Sequence, residues 1–162
     1  MLLKSMQNVK SIGGTFKGLI GECLFKVTDD RLTLTRFFGR NKWLELFGER
    51  LSESQRNFIF KNWYSLDVVR IPRPGDQACI YEVKTRNRYK RMEPHWINKF
   101  SARTTILYKE ATSLGIQVFV TTVWMEDDWN YSIEIKPFSE SEYVVDSPKR
   151  YDRTGAIVVK KE

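Results

Sequence analysis

Two apolar, strand-like runs joined by a turn segment constrain this chain more than any other feature. Residues 63–71 read WYSLDVVRI, residues 78–85 read ACIYEVKT, and PRPGDQ lies between them. Proline and glycine in the joint predict a hairpin folded about Pro74 and Gly75. In that register Asp67 stands directly opposite Glu82, with Cβ atoms about 4.5–5.5 Å apart; a slip of one residue would move Asp67 to the other face of the sheet. Two carboxylates opposed across a ladder destabilise it unless a cation sits between them, and a hard divalent cation bound by oxygen ligands suits that place. Lys84 follows Glu82 by two residues, so strand periodicity puts both on one face while Val83 points into the other layer.

A Glu-x-Lys triplet is common on exposed strands, where it does nothing but face water. The context of Asp67 is less ordinary. It stands inside Leu66-Asp67-Val68-Val69, where burying an unpaired carboxylate is costly. The rival acid, Asp76, belongs to the turn and lies about 20 Å from Glu82 along an extended strand, so it reads as a turn residue. A further acid comes from the amino-terminal region. Phe16, Leu19, Ile20, Cys23, Leu24 and Val27 recur at the spacing of an amphipathic helix, and Glu22 lies at the edge of that stripe beside Gly21. Alone, Glu22 reads as a boundary glutamate; with Asp67 and Glu82 it becomes a candidate third carboxylate.

The ordered set of a helix with Gly-x-x-Gly-Glu (Gly18 to Glu22), a strand aspartate (Asp67) and Glu-x-Lys on the next strand (Glu82, Lys84) resembles the PD-(D/E)XK nuclease superfamily. That superfamily includes restriction endonucleases, archaeal Holliday-junction resolvases and the nuclease domains of repair helicases. The resemblance spans Thr15 to Val123, and the chain departs from the pattern in carrying Leu66 where the motif has proline. It implies an α/β fold with a central mixed β-sheet flanked by helices, in a restriction-endonuclease-like αβββαβ core. It also implies that Asp67, Glu82 and the backbone carbonyl of Val83 hold Mg2+ or Mn2+, that Lys84 assists the attacking water, and that Glu22 completes or orients the metal site. The reaction would be endonucleolytic hydrolysis of phosphodiester bonds in DNA, with branched or structured DNA among the substrates and RNA left open. A homodimer would bring two such sites to two strands, although no residue here specifies the interface.

Beyond Glu82 the chain turns basic. Lys84, Arg86, Arg88, Lys90 and Arg91 crowd one stretch of eight residues with Tyr89 among them, which reads as a clamp on a nucleic-acid backbone or as a solvated charged loop. Residues 94–114 are expected to be helical, with Pro94 in the first turn, Trp96, Phe100, Leu107, Ala111 and Leu114 on the apolar face, and Gly115 as the stop. On that helix His95, Lys99 and Arg103 would follow one another at i, i+4 spacing, bringing Lys99 and Arg103 within reach of phosphate.

The 162 residues suit one domain, with a core over about 15–136 and a basic extension over 137–162 that carries Lys149, Arg150, Arg153, Lys160 and Lys161. A net charge of +7 and a pI of about 9.4 favour a polyanionic partner without naming a reaction. Cys23 and Cys79 lack metal-ligand spacing and are expected to be buried free thiols. His95 is the single histidine, which leaves no zinc site and only one base for a nucleophilic triad. No Walker A motif, dinucleotide fingerprint or repeat is visible. Residues 1–12 are too short and polar for a signal peptide and no apolar run approaches a membrane span, so a cytoplasmic protein is expected.

The rest reads as scaffold. Trp43, Leu44, Phe47 and Leu51 have helical spacing, and Ser52 or Ser54 can cap a second helix. Most aromatics between Arg36 and Trp63 are expected in the core, with one or two left to stack on bases. Ile116 to Trp124 reads as a buried strand, Tyr131 to Lys136 as an alternating one, and Asp127 and Asp128 as solvated loop acids. Two other functions compete with the nuclease: a non-catalytic nucleic-acid-binding protein that retains the nuclease fold, and a basic structural protein in which Asp67 and Glu82 pair with neighbouring Arg and Lys.

Overall fold

A computed structural model describes residues 14–87, 98–126, 128–141, 143–146, 150–151 and 157–158. Its centre is a mixed five-stranded sheet in the order β1-β2-β3-β5-β6, formed by β1 (Leu32–Leu34), β2 (Val68–Arg70), β3 (Cys79–Asn87), β5 (Gln117–Met125) and β6 (Tyr131–Pro137). Helix α1 (Gly14–Thr28) covers one face through Phe25, which packs with Leu32, Val68, Tyr81, Val83 and Val123. Helices α2 (Arg40–Phe47), α3 (Glu53–Asn62) and α4 (Ala102–Ser113) cover the other through Trp43, Phe58, Ile59, Leu107, Tyr108 and Ala111, against Val69, Ile80, Val118 and Val120. With both faces packed, β3 and β5 are the buried parallel pair at the centre.

The hairpin adopts the expected register. Val68 pairs with Tyr81 and Val69 with Ile80, antiparallel. The turn closes through the Asp76 N–H, which donates to the Arg73 carbonyl at 3.0 Å, with Gly75 at φ 83°, a conformation that side chains with a Cβ resist. The first arm is shorter than its apolar run. Residues Trp63–Ser65 form a 3-10 turn, and Trp63 is apolar because its indole packs on Trp43 in the core, not because it pairs in the sheet. The three-residue β1, which pairs with the free side of β2, has no counterpart in the sequence reading.

Helix α1 spans the expected residues, and Ile20 and Leu24 of the expected stripe pack on the core, but its most buried positions lie beside that stripe. Gly21, Glu22 and Phe25 are buried, whereas Phe16, Val27 and Cys23 are exposed, so Cys23 is not the buried thiol that the spacing suggested; Cys79 is. The physical reason is Gly21. A Cβ there would lie 1.9 Å from the Thr85 Oγ1, so only glycine lets the helix backbone lie this close to β3, and that approach turns Glu22 inward.

The helix expected over 94–114 begins only at Ala102. Asn98–Ser101 is instead a strand, β4, paired parallel with β7 (Tyr143–Asp146), and the Ser101 side chain accepts from the Thr104 N–H to cap α4. Lys99 therefore lies in β4 and Arg103 in the first turn of α4, and the two do not share a helix face. Pro94, His95 and Trp96 lie outside the described residues. In α3 Ser52 is the cap, and Gln55 completes a capping box. Two short strands, β8 (Arg150–Tyr151) and β9 (Ile157–Val158), pair in the carboxy-terminal stretch, where Lys149, Arg153, Lys160 and Lys161 lie outside the described residues. Among the described residues no helix is long and apolar enough to cross a membrane.

Candidate active site

One step beyond Val68, the ladder brings Asp67 to β3, and there its side chain takes over from the backbone. Asp67 Oδ2 accepts from the Val83 N–H at 2.9 Å. The Asp67 carbonyl accepts from the Thr35 N–H at 3.4 Å and from the Thr35 hydroxyl at 3.1 Å, and that hydroxyl also donates to the Leu66 carbonyl. Thr35 thus pins the 3-10 turn Thr35–Phe37, which follows β1, beside Asp67.

That turn delivers Arg36. Its Nη2 donates to Glu22 Oε1 and lies 3.4 Å from Asp67 Oδ1, so one guanidinium bridges the α1 glutamate and the aspartate that precedes β2. On β3, Glu82 is held at both oxygens. Lys84 Nζ donates to Oε1 at 2.5 Å, and the hydroxyl of the fully buried Tyr108, reaching from α4, donates to Oε2. Lys84 Nζ also lies 5.2 Å from the Phe100 ring centroid, within cation-π range. Glu22, Asp67, Glu82 and Lys84, named from the sequence, therefore converge from three elements, and Arg36, Thr35 and Tyr108 join them.

Charge in this recess is costly. Burial, above all, pushes the Glu22 carboxyl up to about 7; Arg36 opposes the shift and Glu82 adds to it. Burial and the Glu82 charge push Asp67 up to about 7 as well, against the Val83 N–H, with Glu22 adding and Lys84 subtracting. Burial, then the charges of Glu82 and Asp67, keep Tyr108 protonated well above the usual phenol range, which fixes its hydroxyl as a donor.

The donor set is composed of carboxylate oxygens, which suits Mg2+ or Mn2+ rather than a soft metal. Glu22 Oε2 is buried and has no hydrogen-bond partner, so one lone-pair-bearing oxygen faces the recess unsatisfied. Among the described residues no three His, Cys, Asp or Glu side chains form a ready-made cage. The carboxylates are instead tied to Arg36, Lys84 and Tyr108. The residues fit a divalent ion that takes over part of the role of those cations.

Val83 engages Asp67 through its N–H, a contact that adds to the expected role of its carbonyl. Arg86 is half-buried, and burial lowers its pKa, so it is embedded at the end of β3 rather than projecting freely. Arg103 is exposed at the start of α4. Arg88, Lys90 and Arg91 lie outside the described residues, and Asp76 sits in its turn 3.9 Å from Arg70. Tyr108 had the helical spacing of a core residue, which gave no sign of its hydroxyl's partner. Arg36 carried no local signal, because its contacts lie 14 and 31 residues away.

Fold and site together define an α/β protein with a mixed five-stranded sheet, whose central hairpin carries a recessed carboxylate–lysine cluster. The chain matches no protein-family model, no curated protein and no solved structure.

Proposed function

We propose that the chain is a divalent-metal-dependent nuclease that hydrolyses phosphodiester bonds in DNA, with a PD-(D/E)XK type of site. The observation that carries this reading is the convergence of Glu22, Asp67, Glu82 and Lys84 on one recess in the register their spacing demands. The order α1, β1, β2, β3, α4, β5, with α2 and α3 inserted after β1, β4 inserted before α4, and β3 and β5 parallel, supports an αβββαβ core.

Asp67 and Glu82 would hold Mg2+ or Mn2+, with the Val83 carbonyl and Glu22 completing the set. The ion supplies a water made nucleophilic near neutral pH and charge stabilisation on the phosphoryl oxygens. The protein supplies position. Tyr108 and Lys84 fix the orientation of the Glu82 carboxylate, and the Val83 N–H fixes that of Asp67. The Lys84 ammonium stands at the same carboxylate, where it orients the attacking water or places a point charge beside the scissile phosphate. Arg36, with 41% of its side chain exposed, bridges Glu22 and Asp67 and would compete with the ion for both carboxylates.

The test compares wild type with Asp67→Ala, Glu82→Ala and Lys84→Ala on linear, single-stranded and four-way-junction DNA, with Mg2+, Mn2+ or EDTA. Metal-dependent cutting that disappears in all three variants while DNA binding persists is the expected result. Cutting that survives Glu82→Ala sinks the assignment. Binding without cutting by wild type on every substrate favours a nucleic-acid-binding protein that retains the fold.

A further inference from the structure

Beside the acid cluster lies an aromatic face that the core does not use. Phe37, Phe60 and Tyr64 are 62%, 45% and 81% exposed, although Phe58 and Trp63 beside them are buried and Phe38 is partly buried. They are held together. The 3-10 turn that carries Phe37 packs against the one that carries Tyr64, and α2 packs on α3, which carries Phe60. Arg40 links two of the rings, with its guanidinium carbon 3.8 Å from the Phe60 centroid and 5.7 Å from that of Tyr64, while its Nη1 donates to the Phe60 carbonyl at 3.3 Å. Along the chain the face adjoins the acid cluster: Phe37 follows Arg36, which reaches Asp67, and Tyr64 stands three residues before Asp67.

Its charge is mainly basic. The elements that build it carry Arg40, Lys42, Arg56 and Lys61 against Glu45 and Glu53, while Arg31 is paired with Asp29 and Arg36 with Glu22 and Asp67. Exposed rings interleaved with arginine and lysine suit a polyanion that also presents flat apolar rings of its own. A single nucleic-acid strand meets both requirements, whereas in a duplex the base faces are stacked on each other and out of reach. An acidic peptide would satisfy the charge and leave the rings without flat partners.

We propose that Phe37, Phe60 and Tyr64, with Arg40, form a stacking platform for the unpaired nucleotides of a nucleic-acid substrate. This deepens the nuclease reading and rests on it for the role of the neighbouring recess: the platform holds an unpaired strand next to the site that cuts.

The experiment is done in EDTA, so that nothing is cleaved. Probes are a short oligothymidine, a blunt duplex, and a single strand carrying a fluorescent adenine analogue whose emission is quenched by stacking. Tyr64→Ala and Phe60→Ala should weaken single-strand binding about fivefold or more. Both should relieve the quench and leave duplex binding and the melting temperature unchanged, and Tyr64→Trp should restore the wild-type values. Equal losses on single strand and duplex, or an undiminished quench in both alanine variants, overturn the platform. Cleavage in Mg2+ is read separately. A stacking face on a protein that cuts nothing leaves the platform standing and removes the nuclease, whereas cutting that survives alongside an undiminished quench does the reverse.

Discussion

Glu22 and Asp67 are the residues at which fold and function pull against each other. Their ordinary values are 4.5 and 3.8, and in the folded protein both titrate at about 7. Between those limits the folded state binds protons that the unfolded chain has released, so stability falls as pH rises. The stabilisation is fully present below about pH 4 and is lost as pH climbs through about 7, with upper bounds of about 3 kcal/mol for Glu22 and about 4 kcal/mol for Asp67. Urea titrations of metal-free protein across that range should show the decline. Asp67→Asn, whose amide oxygen still accepts from the Val83 N–H, should flatten it and raise stability at neutral pH; if it instead destabilises the protein at every pH, Asp67 serves as an ion-pair partner of Arg36. Metal binding requires the same carboxyls to be ionised, so Mn2+ affinity should climb with pH over the window in which the metal-free fold weakens. Arg36→Gln removes the guanidinium that bridges Glu22 and Asp67, and should tighten Mn2+ binding about tenfold by calorimetry if that cation competes with the metal. A weaker affinity would mean that Arg36 organises the ligands instead.

At the scale of elements, two packing contacts carry the site. The approach of α1 to β3 depends on Gly21, where a Cβ would meet the Thr85 Oγ1 at 1.9 Å. Gly21→Ala should cost about 1–3 kcal/mol. Adding Thr85→Ala should recover part of that loss, because it removes the oxygen and the methyl while the Thr85 Cβ stays 3.0 Å away. The contact of α4 with β3 runs through Tyr108. Tyr108→Phe keeps the ring in the core and deletes the donor to Glu82 Oε2, and should lower kcat or metal affinity about 10- to 100-fold while the protein stays folded. An unchanged rate would reduce Tyr108 to packing. These contacts also mark how far the sequence could be read. The turn at Pro74 and Gly75 fixed the β2–β3 register locally, and with it the meeting of Asp67 and Glu82. The buried face of α1 is shifted from its six-residue apolar stripe toward Glu22 and Phe25 by one glycine, and α4 starts later than its apolar spacing predicts because β4 gains its strand character from β7, more than forty residues on. Pairings set by distant partners leave no periodic trace in a single segment, which is also why Arg36 was missed.

For the molecule as a whole, the excess of 27 basic over 20 acidic residues is unevenly spread, since the elements that build the aromatic face carry Arg40, Lys42, Arg56 and Lys61 against Glu45 and Glu53. That arrangement predicts a salt dependence with an address. A single strand lying across the face releases counterions from each phosphate it neutralises, so the logarithm of affinity falls linearly with the logarithm of salt concentration, with a slope of roughly −0.7 per phosphate contact. Lys61, exposed on α3 next to Phe60, should contribute one such contact. Lys61→Gln should therefore weaken single-strand binding in EDTA and make the slope shallower by about 0.7. Arg73 is the matched control: it is equally exposed, but it sits in the turn of the β2–β3 hairpin, at the end away from Asp67 and about 20 Å along the chain from it. Arg73→Gln carries the same loss of net charge and should leave the slope unchanged. If both substitutions shift the slope alike, the strand is attracted by the overall charge of +7 and not by this face.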